Sequence, residues 1–174
     1  MFEVIHISRS GRPRALLRRH DEVMSPATIA AFLALTGWCV VLSVIDLRER
    51  RLPNALTGPG AVTVLGVATV TGRGTAAALG ALLLAVPYLL IHLLFPAAFG
   101  AGDVKLALGL GAAATFGGAQ VWVWAALAAP VLTALAGLVV RIRGRPARAA
   151  PVDRAIPHGP AMCLATLGAL LLAG

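Results

Sequence analysis

Long apolar stretches alternate with short polar segments along most of this chain. Six of them predict helices, with approximate bounds 26–45, 55–71, 75–95, 103–114, 120–140 and 156–174. Several approach about 20 residues, the length at which an α-helix crosses the hydrocarbon core of a bilayer. The pattern therefore predicts an all-α, polytopic membrane protein built as a bundle of six transmembrane helices.

Proline and glycine mark the predicted irregularities in these helices. Pro53 has no N–H and fixes its own backbone, so it separates the first helix from the second. Residues 58–60, Gly-Pro-Gly, predict an irregular start to the second helix, and Pro87 predicts a kink in the third. A tight turn is expected at residues 72–74 and a break at residues 117–118.

Composition supports a membrane protein. Hydrophobic residues make up 59% of the chain and charged residues 13%, with a mean hydropathy of +0.86, whereas soluble domains carry about 25% charged residues. The two cysteines, Cys39 and Cys163, lie in apolar stretches and form no C-x-x-C motif. We therefore predict buried thiols, not a metal site or a disulfide framework, and no cofactor.

The net charge of +8 comes from clustered arginines. Five lie in residues 9–19, three in residues 48–51 and five in residues 141–154. In a membrane protein this surplus is best explained by anionic lipid headgroups and topology signals, so lipid, and not nucleic acid, is the expected partner.

Alternation of the helices predicts an orientation. Loops 47–54, 96–102 and 141–156 must share one membrane face, and the positive-inside rule places them in the cytoplasm. The arginine-rich residues 1–23 oppose this orientation. Three interpretations of these residues are open: a disordered arm, a surface-lying segment, or an untranslated extension before Met24. Because none of the three makes them part of the helix bundle, we assign the membrane core to residues 24–174.

Two of the seven acidic residues adjoin predicted span ends, namely Asp46 and Asp103. A charge at that depth is costly, so both are functional candidates. Alternation places them at the same face, where a carboxylate pair can hydrolyse a peptide bond. One ionised carboxylate takes a proton from water while the protonated one polarises the scissile carbonyl. Two other interpretations remain: Asp103 caps a helix, and Asp46 pairs with the arginines of residues 48–51.

Three motifs carry a family resemblance. Residues 100–103, Gly-Ala-Gly-Asp, fit the G-x-G-D motif of membrane-embedded aspartic peptidases. Asp46 with the later Leu-Pro-Asn at residues 52–54 resembles the D-x5-[IL]-P-N pattern of type IV prepilin peptidases. Residues 156–160, Ile-Pro-His-Gly-Pro, are similar to the P-[FY]-G-P signature of the same family. The resemblance covers about residues 26–174.

The resemblance implies a peptidase of the bacterial plasma membrane that removes the leader from prepilin-like precursors at the cytoplasmic face. Asp46 and Asp103 match the family's catalytic aspartates. The chain lacks the cysteine-rich domain of the larger, methylating members, which favours a peptidase-only form like that of tight-adherence (Flp-type) pilus systems. The supporting motif residues are Pro53, Asn54, Gly100, Gly102, Lys105, Pro157, His158, Gly159 and Pro160.

Each supporting residue also has a physical interpretation. Gly100 and Gly102 permit close backbone approach, or are ordinary loop glycines. We expect Lys105 to reach towards lipid headgroups. His158, where the family has Phe or Tyr, is expected to have a structural or substrate-contact role. Asp103 lies at a predicted helix N-terminus, where the dipole favours the ionised carboxylate, so we expect it to act as the base. Asp46 lies near a C-terminus, where the dipole disfavours the ionised form, so we expect it to act as the acid.

Two other functions compete with the peptidase. The acids could couple protons in a small transporter, or the chain could be a non-enzymatic membrane subunit of a pilus or secretion system. Transport acids usually lie near the middle of a span, whereas these acids adjoin span ends. The precursor and the oligomeric state remain open.

Overall fold

A computed structural model describes residues 25–96, 100–143 and 157–173 of the chain. Two compact units divide the chain, Met1–Thr36 and Gly37–Gly174. The boundary falls inside the first helix, so the first unit contributes residues 25–36 to the described part. The described residues form six α-helices and one short 3₁₀ segment, and no strand occurs among them. The all-α prediction is therefore confirmed for this part of the chain.

Helix α1 (Pro26–Glu49) has defined signals at both ends. At its start the Ser25 hydroxyl oxygen accepts a 3.1 Å hydrogen bond from the Thr28 N–H, and Pro26 takes the first helical position, where its missing N–H costs little. At its end Arg50 adopts a left-handed φ of 52°, which reverses the chain. The predicted end at residue 45 was wrong, because the last turn continues past Asp46 to Glu49.

Helix α2 (Asn54–Val70) follows directly after Pro53. The irregular start predicted from residues 58–60 was wrong, since the helix is continuous through Pro59. A proline inside a helix removes one backbone hydrogen bond. The adjacent turn nevertheless has an additional bond, from the Thr63 hydroxyl to the Pro59 carbonyl at 2.8 Å.

The remaining helices are close to their predicted positions. They are α3 (Gly74–Leu94), α4 (Ala101–Ala114), α5 (Ala119–Ile142) and α6 (Gly159–Ala173), with a 3₁₀ turn at Thr115–Gly117 between α4 and α5. The two predicted breaks contain glycines with left-handed φ angles, Gly72 at 74° and Gly118 at 95°. Pro87 lies within α3.

Helix α4 is the buried centre of the second unit. It packs against α2, α3 and α6, and every residue from Gly109 to Ala114 is buried. Small side chains allow this packing. A Cβ on Gly111 would lie 2.5 Å from the Gly80 carbonyl oxygen of α3, so the two backbones touch at this point. Such close approach is typical of helices that associate within a membrane.

Large apolar side chains remain exposed on the outside of the helices. Leu33, Leu83, Leu94, Leu135 and Leu172 are examples, each more than half exposed. Three helices, α1, α3 and α5, are long and apolar enough to cross a membrane. Helices α2 and α6 have 17 and 15 residues, and α4 has 14, so six complete spans remain a prediction.

The contact between α3 and α4 makes a testable prediction about stability. Gly111→Ala should destabilise the protein by about 1–3 kcal/mol, because the added methyl group meets backbone atoms that cannot move aside. Thermal unfolding in detergent measures the change.

Gly66→Ala is the matched control for Gly111→Ala. No described atom lies within 4 Å of a Cβ built on Gly66, so this variant should be neutral or stabilising by about 0.5–1 kcal/mol. Equal unfolding temperatures for Gly111→Ala and Gly66→Ala would contradict the proposed packing.

Candidate active site

Asp46 lies in the last turn of α1 with its carboxylate directed at the start of α6. The residue is 6% exposed, and its Oδ2 accepts a 3.1 Å hydrogen bond from the Gly159 N–H. Gly159 is the first residue of α6, so its N–H is one of the donors that a helix cannot satisfy internally. The positive end of the α6 dipole therefore stabilises the Asp46 carboxylate.

The residues around Gly159 suit this contact. A Cβ on Gly159 would lie 2.8 Å from Asp46 Oδ2 and 3.3 Å from its Cγ, so only glycine allows the carboxylate to approach the N–H. Pro160 occupies the second position of α6, where a missing N–H costs no helical bond. Pro157 is half-buried just before the helix.

Asp103 is the third residue of α4 and is half-buried. Its Oδ2 accepts a 3.2 Å hydrogen bond from the N–H of Gly100, the N-cap residue. This bond is one half of a capping box, so the capping role considered from the sequence describes the local structure. A capping carboxylate can also act chemically, because the bond holds it in a fixed place.

Both sequence-predicted acids lie in the second unit, Asp46 at the end of α1 and Asp103 at the start of α4. Each carboxylate accepts a hydrogen bond from the N–H of a glycine, Gly159 for Asp46 and Gly100 for Asp103.

The two motifs that contain the acids also contact each other. Leu52, in the loop after α1, packs on α4 where Gly102 has no side chain, since a Cβ there would lie 2.7 Å from Leu52 Cβ. Next to this contact the Lys105 Nζ donates a 2.7 Å hydrogen bond to Asn54 Oδ1. This hydrogen bond connects α4 to α2. The sequence did not predict Asn54 as the partner of Lys105. Gly100 makes no comparably close approach, because a Cβ there would be 3.6 Å from Asp103 Oδ2.

His158 is buried between α3 and α5. Its Nε2 lies 2.7 Å from the Tyr88 hydroxyl, and its Nδ1 lies 2.6 Å from the Thr133 hydroxyl. Sequence reasoning did not identify Tyr88 or Thr133. Two features could have identified them: both are polar residues within apolar stretches, and Tyr88 is the single tyrosine of the chain.

The structure removes the basis for the sequence-derived assignment of base and acid. That assignment relied on Asp103 alone being near a helix N-terminus. Asp46 also meets one, the start of α6, because Gly159 lies against it. The helix ends therefore do not distinguish the two carboxylates.

Comparison with known proteins identifies one family. Residues 33–142 match the model of the type IV leader peptidase family. The matched region includes both acids and ends with α5, so the Gly159 contact lies outside it. No curated protein and no solved structure matches the chain.

Proposed function

Because this chain belongs to the type IV leader peptidase family, a family of proteases, we propose that it is an aspartic endopeptidase with Asp46 and Asp103 as its catalytic pair. Its substrates are prepilin-like precursors, from which it removes the leader peptide. The observation that supports this proposal is that Asp46 and Asp103 are each withdrawn from water and held by a glycine N–H, while the motifs that contain them touch where Leu52 packs against Gly102.

The apolar helices and the family together identify a membrane-integral protein. We extend this to a multi-pass protein of the bacterial plasma membrane, with residues 24–174 as the peptidase core and residues 1–23 as a separate tail. The acids then lie at the cytoplasmic face, because loop 50–53 carries arginines. This topology assigns all six helices to the membrane.

The proposed reaction adds water across one peptide bond. The ionised carboxylate of the pair accepts a proton from water as the water oxygen attacks the carbonyl carbon. The protonated carboxyl donates to the carbonyl oxygen, which gives a neutral tetrahedral intermediate. When the C–N bond breaks, the proton taken from water goes to the leaving nitrogen, and the other carboxylate takes a proton back from a hydroxyl of the intermediate. A carboxylic acid and an amine leave, and the pair again holds one proton.

A shared proton explains why two acids are needed. Like charges held close together cannot both ionise easily, so one carboxyl of the pair keeps a proton at a higher pH than an isolated acid would. The pair titrates as a unit, so we assign the two roles to the pair and not to individual residues.

The substrate must be extended where it is cut. A peptide bond inside a helix has its carbonyl in an internal hydrogen bond and cannot be attacked easily. Prepilin-like leaders are short and basic and precede an apolar helix, so their charge does not complement the arginines near the site. Packing of the apolar helix against the peptidase is therefore the proposed basis of recognition.

The position of the acids favours hydrolysis over proton-coupled transport. Asp46 lies in the last turn of its helix and Asp103 in the first turn of its own. Acids that couple transport usually lie near the bilayer midplane.

Loss of either acid should abolish cleavage. Asp46→Asn and Asp103→Asn should each lower the rate of leader removal at least about 100-fold. An asparagine can neither accept the proton of the attacking water nor protonate the carbonyl oxygen, so the pair loses one of its two proton transfers. The measurement is the shift in precursor size after co-expression with a prepilin-like substrate. Glu49→Gln, an exposed neighbouring acid, should cleave normally. Cleavage by either Asn variant at the wild-type rate would rule out the pair.

The rate should depend on pH in a defined direction. A pair that must hold one proton to work loses that proton as the pH rises. The rate in detergent should then fall about tenfold per pH unit on the alkaline side. It should also fall in acid, when the second carboxylate is protonated. A rate that increases steadily from pH 6 to 9 would contradict the mechanism.

A further inference from the structure

Three polar side chains form a connected group inside the second unit, beside the proposed catalytic pair. Tyr88 comes from α3, Thr133 from α5, and His158 from the residue just before α6. His158 is 5% exposed and Tyr88 8% exposed. The Tyr88 and His158 rings also pack together, with centroids 5.3 Å apart. The proposed reaction uses none of these three side chains.

The hydrogen bonds of this group use both ring nitrogens of His158. Nδ1 is bonded to the Thr133 hydroxyl and Nε2 to the Tyr88 hydroxyl. The Thr133 hydroxyl also lies 3.1 Å from the Ala129 carbonyl. Neutral histidine supplies one donor and one acceptor, which is what this arrangement requires.

The peptide unit that joins His158 to Gly159 is held on both sides. The His158 carbonyl accepts the Met162 N–H at 3.1 Å, and the Gly159 N–H donates to Asp46 at 3.1 Å. The His158 side chain is attached to the same backbone. Its two hydrogen bonds therefore fix the plane from which the Gly159 N–H reaches Asp46.

We propose that Tyr88, His158 and Thr133 form a positioning clamp, which holds the Gly159 N–H against Asp46 and so keeps the catalytic pair in its reactive geometry. The proposal rests on the proposed function. These residues are positioning residues, because they act through Gly159 and not on the precursor. Misplacing a catalytic group by about 1 Å can cost a factor of about 100 in rate.

The clamp predicts a fall in kcat with an unchanged KM. His158→Leu removes the hydrogen bonds to Tyr88 and Thr133 and should lower kcat about 10- to 100-fold in purified enzyme, while KM for the precursor stays within about twofold. His158→Gln, whose amide lies near the Nε2 position, and His158→Asn, whose amide lies near the Nδ1 position, should each restore part of kcat. If His158 only filled space, the Gln and Asn variants would lose as much kcat as the Leu variant.

Smaller changes test the partners of His158 without a large loss of volume. Tyr88→Phe and Thr133→Val each remove one hydroxyl and should each lower kcat less than His158→Leu does. Combined with His158→Leu they should cause little further loss, because the bond is already absent. Should His158→Leu fail to fold, these two single variants decide the question.

Thr63→Val is the matched control for Thr133→Val. Thr63 donates to the carbonyl four residues earlier at 2.8 Å, as Thr133 does at 3.1 Å, but it is exposed and outside the site. Its kcat should equal that of the wild type. Clamp variants that retain wild-type kcat, or that lose activity only in proportion to the folded protein recovered, would overturn the clamp.

Two reference measurements separate failure of the clamp from failure of the proposed function. If wild type cleaves the precursor and Asp46→Asn does not, normal cleavage by the clamp variants refutes the clamp alone. If wild type does not cleave, the proposed function fails. The clamp is then tested by the ¹⁵N amide shift of Gly159, which Tyr88→Phe and Thr133→Val should each change and Thr63→Val should not. A Gly159 shift that is unchanged in both Tyr88→Phe and Thr133→Val would overturn the clamp.

Discussion

A glycine N–H at the start of a helix holds each carboxylate of the proposed pair. Gly159 donates to Asp46 and Gly100 donates to Asp103. A buried carboxylate is costly unless it is hydrogen-bonded, and a helix N-terminus supplies both the donor and a favourable dipole. Each carboxylate therefore has a donor in place although it is at least partly withdrawn from bulk water.

The small residues of α4 make this arrangement possible. Contact with α3 at Gly80 and Gly111, and with the Trp38 side chain at Gly109, places α4 at the centre of the second unit. Trp38 in turn donates through Nε1 to the Leu56 carbonyl of α2 at 3.0 Å. The first turn of α4 contacts the loop after α1, where Leu52 packs against Gly102. We therefore expect the position of Asp103 to depend on packing several turns away.

Local features of the fold could be predicted from the sequence, because they depend on residues close together in the chain. Apolar length located the helices to within a few residues, and Asp46 and Asp103 were recognised as costly charges at helix ends. Local signals also misled in places. Pro59 was expected to disturb α2, yet the helix continues through it, because packing can outweigh the loss of one hydrogen bond.

The contacts that define the site could not be predicted in this way. Gly159 and Asp46 are 113 positions apart, Tyr88 and His158 are 70 apart, and Lys105 and Asn54 are 51 apart. Periodicity and propensity describe one helix at a time and contain no information about which faces of distant helices meet. The motifs indicated that these segments matter, while the individual hydrogen bonds required the folded chain.

Chemical cross-linking tests the central claim, that the two acidic side chains meet. Asp46→Cys and Asp103→Cys would be combined in a protein with Cys39→Ala and Cys163→Ala, and native membranes would be treated with a short bifunctional thiol reagent. Carboxylates bridged by one water lie about 3–6 Å apart, so this pair should cross-link rapidly. Asp46→Cys with Ala119→Cys, beyond the far end of α4, should not. Absence of the Asp46–Asp103 cross-link in folded protein would contradict the account.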